Sequence, residues 1–320
     1  MTRYIIRRLL WGVLLLIVVS ALTFVLFRIL PTADPAKLRA GRLQNPKIIA
    51  EIRHNLGLDK SLLTQFWLYM KGIFLHFDLG YSYYSSASVK SLIFDRLPAT
   101  ISLSVGAAVV WLLVGIPTGI ISAVKQRSLL DRAAMGTALV FVSAPVYWLG
   151  LISLYVFASD IGLLHIFPGS NSYVGLTADP VKWFTSLLLP WFVLAATFAA
   201  IYARVLRGSL IESMDEDYIR TARAKGLSER RVVVRHGVRS AINPIATLLA
   251  LDIGVLLGGA VLTETVFNIP GIGRLNYDAL THADFPIVQG TVLLAALFII
   301  VANIVVDIAY AYLDPRVRYS

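Results

Sequence analysis

The side chains that could carry out chemistry are few and scattered along this sequence of 320 residues. The sequence contains no cysteine, which excludes thiol nucleophiles, disulfides and metal sites built on cysteine. Its five histidines show no His-Glu-x-x-His pattern, and His54, His76, His165 and His282 lie far apart in segments predicted to be external. No metal, cofactor or catalytic group is therefore predicted.

Asp252 is the acid in the most unusual position. It lies inside an apolar run, where a charge costs about 3 kcal/mol on insertion scales and must face protein or water. Either its carboxylate lines a path for a substrate with an ammonium group, or it pairs with a polar residue of another subunit. Asn303 lies in a later apolar run, where it either bonds between helices or lines the same path.

Glu264 and Arg274 flank a turn at Pro270-Gly271 that follows the fifth apolar run. Three interpretations remain open for this pair. The two side chains form a gate at the outer mouth of a path, they contact an external receptor, or they only support the geometry of the turn.

The composition places these residues in a membrane protein. The chain is 57% apolar and 15% charged, with a mean hydropathy of +0.73. A helix needs roughly 20 apolar residues to cross a bilayer. Six runs approach or exceed this length: 9–27, 97–124, 133–159, 183–203, 240–263 and 285–306. Pro117, Pro145 and Pro190 are expected to kink these helices without adding to the number of spans.

The charges predict the orientation. The loops 125–132 and 204–239 and the tail after 307 are rich in Lys and Arg, whereas the short loops on the other side carry only Lys182 and Arg274. By the positive-inside rule both termini are cytoplasmic, and the first run is a retained signal anchor. The net charge of +10 is thus explained by topology, and no nucleic-acid partner is predicted.

The segment 31–96 is predicted to be external and to contain two amphipathic helices, the first ending at Leu56-Gly57. These helices either cap the bundle or contact an external partner. Glycines four residues apart, Gly115 with Gly119 and Gly254 with Gly258, predict close helix packing, either within the chain or between subunits.

The loop between the fourth and fifth runs carries the clearest signals for local structure. Acids at 215–217 begin a short helix, Gly226 ends it, and Ser228 begins a second helix. This arrangement predicts a rigid tip that another protein can grip. Ala222, Lys225, Gly226 and an exposed Leu227 are interpreted as docking residues. Arg204, Arg207 and Arg239 are interpreted as topogenic residues facing lipid.

The stretch YIRTARAKGLSERRVVVRHGVRSAINP resembles the cytoplasmic motif of binding-protein-dependent ABC importer permeases, in the form found in the dipeptide, oligopeptide and nickel group. The general motif is Glu-Ala-Ala, three residues, Gly, nine residues and Ile-x-Leu-Pro. Arg220, Thr221 and Ala222 occupy the first three positions and Gly226 is the glycine. Pro244 follows at a longer spacing, and no acid stands at the first position, which narrows the resemblance to this group.

Other segments extend the resemblance over nearly the whole chain. Asp78-Leu79-Gly80-Tyr81-Ser82 is similar to Gly-Asp-Leu-Gly-x-Ser, with Phe77 replacing the first glycine. The remaining segments are Leu256-Leu257-Gly258-Gly259-Ala260-Val261, Thr263-Glu264-Thr265-Val266-Phe267, Pro270-Gly271-Ile272-Gly273-Arg274, Asp284-x-Pro286-x-x-Gln289-Gly290 and Asp314-Pro315-Arg316. The short N-terminal tail, the long first outer loop and the Asp-Pro-Arg end resemble the B-type subunit.

The resemblance implies an all-α integral membrane protein with the type I ABC importer permease fold, six transmembrane helices and half of a translocation pore. The implied partners are a second permease, of the C type or a second copy, two ABC ATPase subunits and an extracytoplasmic substrate-binding protein. ATPase coupling is assigned to Arg220, Thr221, Ala222, Ala224, Lys225, Gly226 and Leu227. The implied location is the inner or plasma membrane of a prokaryote.

The implied substrate is a di- or oligopeptide, with nickel chelates, glutathione and oligosaccharides as alternatives. The chain itself is not predicted to be an enzyme, since Gly119 to Lys125 lacks the second glycine of a Walker A loop. A different function, a stand-alone proton-coupled carrier or channel using Asp252, has no need of a docking tip. The predicted domains are 1–30, 31–96 and 97–320, the last containing the coupling loop at 204–243.

Overall fold

The computed structural model describes residues 2–29, 34–40, 45–55 and 57–313. Within these ranges the chain forms helices and two isolated bridges, and no strand. The helices are α1 (Thr2–Phe24), α2 (Pro35–Ala40), α3 (Pro46–Asn55), α4 (Leu62–Lys71), α5 (Val89–Val124), α6 (Leu129–Ser143), α7 (Val146–Phe157), α8 (Pro180–Met214), α9 (Asp217–Ala224), α10 (Glu229–Arg231), α11 (Arg239–Ala241), α12 (Asn243–Leu257), α13 (Val261–Phe267), α14 (Ile272–Thr281) and α15 (Phe285–Leu313). The segments Val25–Ile29, Gly72–His76 and Val232–Val238 are π-helical. Leu56 and the final Asp314-Pro315-Arg316 lie outside the described residues.

Four described helices are long and apolar enough to cross a membrane: α1, α5, α8 and α15. Two bent pairs, α6 with α7 and α10–α11 with α12, raise the number to six if each pair is one span. The all-α membrane fold predicted from the sequence is confirmed. Pro117 and Pro190 lie inside the continuous helices α5 and α8.

Two of the predicted spans differ from the structure in shape. The expected kink at Pro145 is a bend of 103° between α6 and α7, because proline cannot continue the hydrogen-bond ladder and instead stands at the N-cap of α7. The fifth run, predicted to continue to Thr263, ends at Leu257. A Gly258-Gly259 break separates it from the short helix α13, and Gly259 has a φ of +123° that favours glycine.

The chain divides into two compact units. The first comprises Met1–Thr100, Leu257–Val261 and Pro270–Ser320. Its core is built around buried side chains of α5, α14 and α15, including Ile93, Ile272 and Val288. Amphipathic helices are present at α3 and α4, as predicted, and Gly57 ends the turn after α3 with a φ of +63°.

Helix α4 packs on the end of α1. Phe24 lies against Phe66 and Tyr69, with ring centroids 5.3 and 5.6 Å apart. Leu63 and Trp67, also on α4, remain exposed. The packing of α4 on α1 is consistent with a cap over the end of the helix. The exposed residues are also available to an external partner, so both alternatives remain.

Asp284 joins two segments that the sequence placed far apart. Its buried carboxylate accepts hydrogen bonds from the Ser82 hydroxyl, from the backbone N–H of Tyr83 at 3.0 Å and from that of Tyr84 at 3.3 Å. Gly290, one turn and a half later on α15, lets the helix approach α5, since a Cβ there would lie 2.7 Å from Val89. The Gly-Tyr-Ser segment and the Asp-x-Pro segment therefore form one assembly.

The second unit comprises Ile101–Leu256 and Leu262–Ile269. Its long helix α8 packs against α6, α7 and α5. A Cβ at Gly115 or Gly119 would lie 2.9 Å from the Ala199 oxygen or 2.8 Å from the Ala203 oxygen. This pair of glycines is thus a contact within the chain, which settles the alternative left open by the sequence.

Candidate functional site

The loop after α8 forms a compact tip, here called the docking tip, of residues 217–231. Helix α9 ends at Ala224, and Gly226 follows with a φ of +74°. The Gly226 N–H donates to the Arg223 oxygen at 2.9 Å and the Leu227 N–H to the Ala222 oxygen at 3.4 Å. These two bonds are those of a Schellman motif, which satisfies the last carbonyls of α9. The predicted helix, glycine and helix are confirmed.

A small apolar cluster holds the docking tip together. Ile219, Ala222 and Val232 are buried, and Met214 and Leu227 pack against them. Leu227 is half-buried, and the description of it as exposed was wrong. The reversal at Gly226 turns Leu227 back onto α9, as the hydrophobic contact of a Schellman motif requires. Ala222 likewise faces inward, so both residues shape the tip from inside.

The outer surface of the tip is polar. Arg220, Thr221, Ala224, Lys225 and Gly226 are exposed. These five residues of the predicted coupling set are therefore the ones available to a partner. A Cβ added at Gly226 would meet no atom within 4 Å, so the space over this residue is open.

An ion pair bridges the glycine turn. The Arg223 guanidinium donates through Nη2 to Glu229 at 2.7 Å and through Nε at 3.2 Å. The hydrogen bonds to Glu229 raise the pKa of Arg223 above its ordinary value. Because both side chains are exposed, water and salt screen their attraction, and the main effect of the pair is to hold α10 against α9.

The tip and the segment that follows it each contact α8. The hydroxyls of Ser213 and Tyr218 lie 3.0 Å apart. Gly237 packs so closely on α8 that a Cβ there would lie 2.8 Å from the Met214 sulfur. A displacement of the tip is therefore resisted by α8 itself.

Helix α8 is in turn tied to the start of α6 by a partly buried ion pair. Arg207 donates through Nε to Asp131 Oδ1 at 2.7 Å and through Nη2 to Oδ2 at 2.8 Å. Asp131 is 4% exposed and also accepts from the Ser122 hydroxyl and from the Arg127 N–H at 2.9 Å.

The interpretation of Arg207 as a residue facing lipid was wrong, because its guanidinium is committed to this carboxylate. Arg204 and Arg239 are exposed. Asp131 itself was not singled out from the sequence. A signal was present, since Ser128 stands three residues before it and caps α6 by accepting from the Asp131 N–H.

Asp252 has a partner within the chain. The Tyr202 hydroxyl on α8 donates to its Oδ2 at 2.7 Å, and the carboxylate is half-buried. Tyr202 is fully buried beside Trp111. Neither alternative offered for Asp252 from the sequence included this tyrosine.

The other three candidate residues lie on three different helices, α13, α14 and α15. Asn303 is exposed and donates to the Ile299 oxygen of its own helix at 2.8 Å. Glu264 is fully buried in α13, and Arg274 lies 3.8 Å from Asp278 on α14. Among the described residues, no three His, Asp or Glu side chains are grouped as a metal site requires.

Comparison with known proteins identifies the family of this chain. Residues 115–319 match a family model described as "binding-protein-dependent transport system inner membrane component". Residues 1–104 match the model of the N-terminal part of the same component. The chain belongs to this family. It is thus a permease subunit of a binding-protein-dependent transport system, a multi-pass membrane protein and not an enzyme.

The relatives of this permease align over their full lengths. A Brucella abortus protein named as a peptide transport system permease is 39% identical over 320 residues, which cover all of both chains. A dipeptide transport system permease of Alkalihalophilus pseudofirmus is 36% identical over 338 aligned positions, again covering both chains. A glutathione transport system permease of Salmonella choleraesuis is 38% identical over 320 residues and all of both chains.

Proposed function

We propose that this chain is the B-type permease of an ATP-driven importer of di- or oligopeptides and forms half of the translocation pore. It works with a C-type permease, two ABC ATPases and an extracytoplasmic binding protein in the plasma membrane of a prokaryote. The ATPases dock on the tip at 217–231 from the cytoplasm, and both termini lie on the same side.

The docking tip is the observation that carries this proposal. It projects from α8 as a short helix, a glycine turn and a second helix, with five exposed residues over a buried cluster. A partner that pulls or pushes the tip acts on α8 through the hydroxyl of Tyr218 and through Gly237, which follows the tip and packs on α8. A proton-coupled carrier that works alone has no use for such a rigid attachment.

The substrate class rests on the relatives. Those compared are named for peptides, a dipeptide and glutathione, which share an amino group, a carboxylate and peptide-type amides. Identifying the ligand that co-purifies with the binding protein tests this class directly.

Substitutions at Gly226 test the docking assignment. Gly226→Asn keeps a residue that tolerates the left-handed backbone, whereas Gly226→Asp has the same shape and adds a negative charge. A Cβ at Gly226 would meet no atom within 4 Å, and the backbone strain is of the same kind in both variants, so the added charge is the main difference between them. We expect Gly226→Asn to reduce co-purification of the ATPases and Gly226→Asp to abolish it together with peptide uptake.

The matched control is Gly57→Asp. Gly57 has a similar φ, +63°, and lies in the segment predicted to be external, so the same substitution adds the same strain and charge away from the tip. Permease recovered from the membrane should be equal in the three variants. Normal ATPase recovery with normal uptake in Gly226→Asp would refute the docking assignment.

A further inference from the structure

The carboxylate of Asp252 is held in a fixed position inside the second unit. Its Oδ2 accepts from Tyr202 at 2.7 Å. The tyrosine ring cannot swing away, because it is fully buried beside Trp111, whose ring stacks on Phe198 with centroids 4.7 Å apart. The position of the carboxylate is therefore set by α5 and α8 as well as by its own helix, α12.

The charge of Asp252 is not balanced within the part of the chain that the structure describes. No Lys, Arg or His nitrogen there forms an ion pair with it at 4.0 Å or less. Asp131, by contrast, has a bidentate arginine and two further donors. A neutral hydroxyl orients a carboxylate but does not neutralise it, and an unpaired charge at this depth is costly.

Asp252 is also only half-buried, so part of this residue is accessible to a group from outside this chain. A primary ammonium group offers the positive charge and three N–H donors that the open side can accept. Free di- and oligopeptides carry this group at their amino terminus. Partial exposure also suits a transport path, because a bound group must be able to leave.

We propose that Asp252, oriented by Tyr202, binds the ammonium group of the transported substrate. This inference rests on the proposed function as a peptide permease. It assigns Asp252 to substrate contact and makes Tyr202 a positioning residue. The competing occupant is a cationic side chain of the partner permease, and the experiment below separates the two.

The absence of cysteine from the sequence makes a direct test possible. Asp252→Cys introduces a single thiol into this chain, which can then be modified with a sulfonate-bearing or a trimethylammonium-bearing methanethiosulfonate. Uptake of a labelled alanine tripeptide is measured in proteoliposomes that contain the whole complex, binding protein and ATP. We expect a loss of about tenfold in the cysteine variant, the size of one lost charged hydrogen bond.

The two reagents should then have opposite effects. The sulfonate restores a negative charge and should recover uptake several-fold, whereas the trimethylammonium group should not. Ala246→Cys, exposed on another face of α12, is the matched control and should show normal uptake with either reagent. The unsubstituted chain shows whether cysteines of the partners respond.

Tyr202→Phe removes only the orienting hydroxyl. It should raise the KM for the tripeptide by about tenfold with a smaller effect on the maximal rate. Asp252→Asn keeps the shape of the side chain and serves if the cysteine variant does not assemble. Its KM should rise for the tripeptide and stay unchanged for a des-amino analogue that the binding protein accepts with equal affinity.

Several results would overturn the inference. They are equal responses to the two reagents, normal uptake in both Asp252 variants, or an equal rise in KM for both substrates. Loss of the partner permease from the cysteine variant, with its return after sulfonate addition, assigns Asp252 to the subunit interface instead. If the unsubstituted complex shows no ATP-dependent peptide uptake, the proposed function itself is refuted. This outcome is distinguishable from the others, because they all require uptake by the unsubstituted complex.

Discussion

The ion pair between Arg207 and Asp131 shows how a single residue determines the position of an element. The pair is bidentate, its carboxylate is buried and supported by Ser122, and it fastens α8 to the start of α6. Because α8 continues into the docking tip, a loosened pair affects the helix through which the tip is held. The identity of residue 207 should therefore matter for stability and for transport.

We predict that Arg207→Gln lowers the free energy of unfolding by about 2 kcal/mol, because it leaves the Asp131 carboxylate buried without a cation. The measurement is thermal unfolding of the purified permease in detergent. Arg204→Gln, at an exposed arginine on the same helix, is the control and should change stability by less than about 0.5 kcal/mol. Equal effects of the two substitutions would show that Arg207 acts only as a surface charge.

Asp284 shows what residue-level interpretation missed. The sequence placed it in a segment that resembles the family but assigned it no task. In the structure it anchors Ser82 and the backbone of Tyr83 and Tyr84, three donors that lie about 200 positions away along the chain. Such a contact could not be predicted, because spacing within one segment carries no information about a partner that far away.

At the scale of elements, the close approach of α5 to α8 depends on two glycines. A Cβ at Gly115 or Gly119 would meet backbone oxygens of α8, which cannot turn aside as a side chain can. We predict that Gly115→Ala and Gly119→Ala each destabilise the permease by roughly 1 to 3 kcal/mol through overpacking. Thermal unfolding of each variant in detergent gives the measurement.

Gly136→Ala is the matched control for this prediction. Gly136 lies in α6, and a Cβ there would meet nothing within 4 Å. Alanine should be neutral or slightly stabilising at this position because of its higher helix propensity. If all three substitutions have the same effect, the two helices are not held together by glycine packing.

The element pattern was predictable where the local signals were strong. Apolar runs located the spans. The acidic residues at 215–217 and Gly226 located the two ends of the first helix of the docking tip. The bend at Pro145 and the early end of α12 were not predicted, because hydrophobicity continues through both points. The direction of a helix after a break depends on what it packs against, and composition does not contain that information.

At the scale of the whole molecule, the orientation in the membrane is the largest claim that remains a prediction. The charge distribution places the docking tip in the cytoplasm and α4 outside. Because the chain has no cysteine, single substitutions can report the side directly. We predict that Leu63→Cys reacts with an impermeant thiol reagent in intact cells and that Lys225→Cys reacts only after the membrane is opened.

Both positions are exposed in the structure, so burial does not explain a missing reaction. The unsubstituted chain should not be labelled under either condition. Labelling of Lys225→Cys in intact cells would show that the predicted orientation is wrong. The tip would then lie outside the cell, where the ATPases cannot reach it. ATP-driven transport would then require another surface of the permease to bind the ATPases.

The compact units of the whole chain were less predictable than its spans. The first unit combines Met1–Thr100 with Leu257–Val261 and Pro270–Ser320, and the second comprises Ile101–Leu256 and Leu262–Ile269. Hydrophobic periodicity identifies helices one at a time, whereas the pairing of the two ends depends on contacts such as that of Gly290 with Val89. Because such contacts between distant segments cannot be read from the sequence, the domains predicted from it are consecutive segments, divided at residue 97.

The pairing of Asp284 with Ser82 has a consequence for synthesis. The ribosome makes Ser82 first and reaches Asp284 202 residues later, which takes about 10 to 40 s at ordinary elongation rates. Throughout that interval the first unit is incomplete, while most of the second unit can already fold behind it. A nascent chain that stops before α15 therefore presents an unpinned loop and an uncovered face of α5 to the quality-control proteases, and it should be degraded sooner than a finished chain.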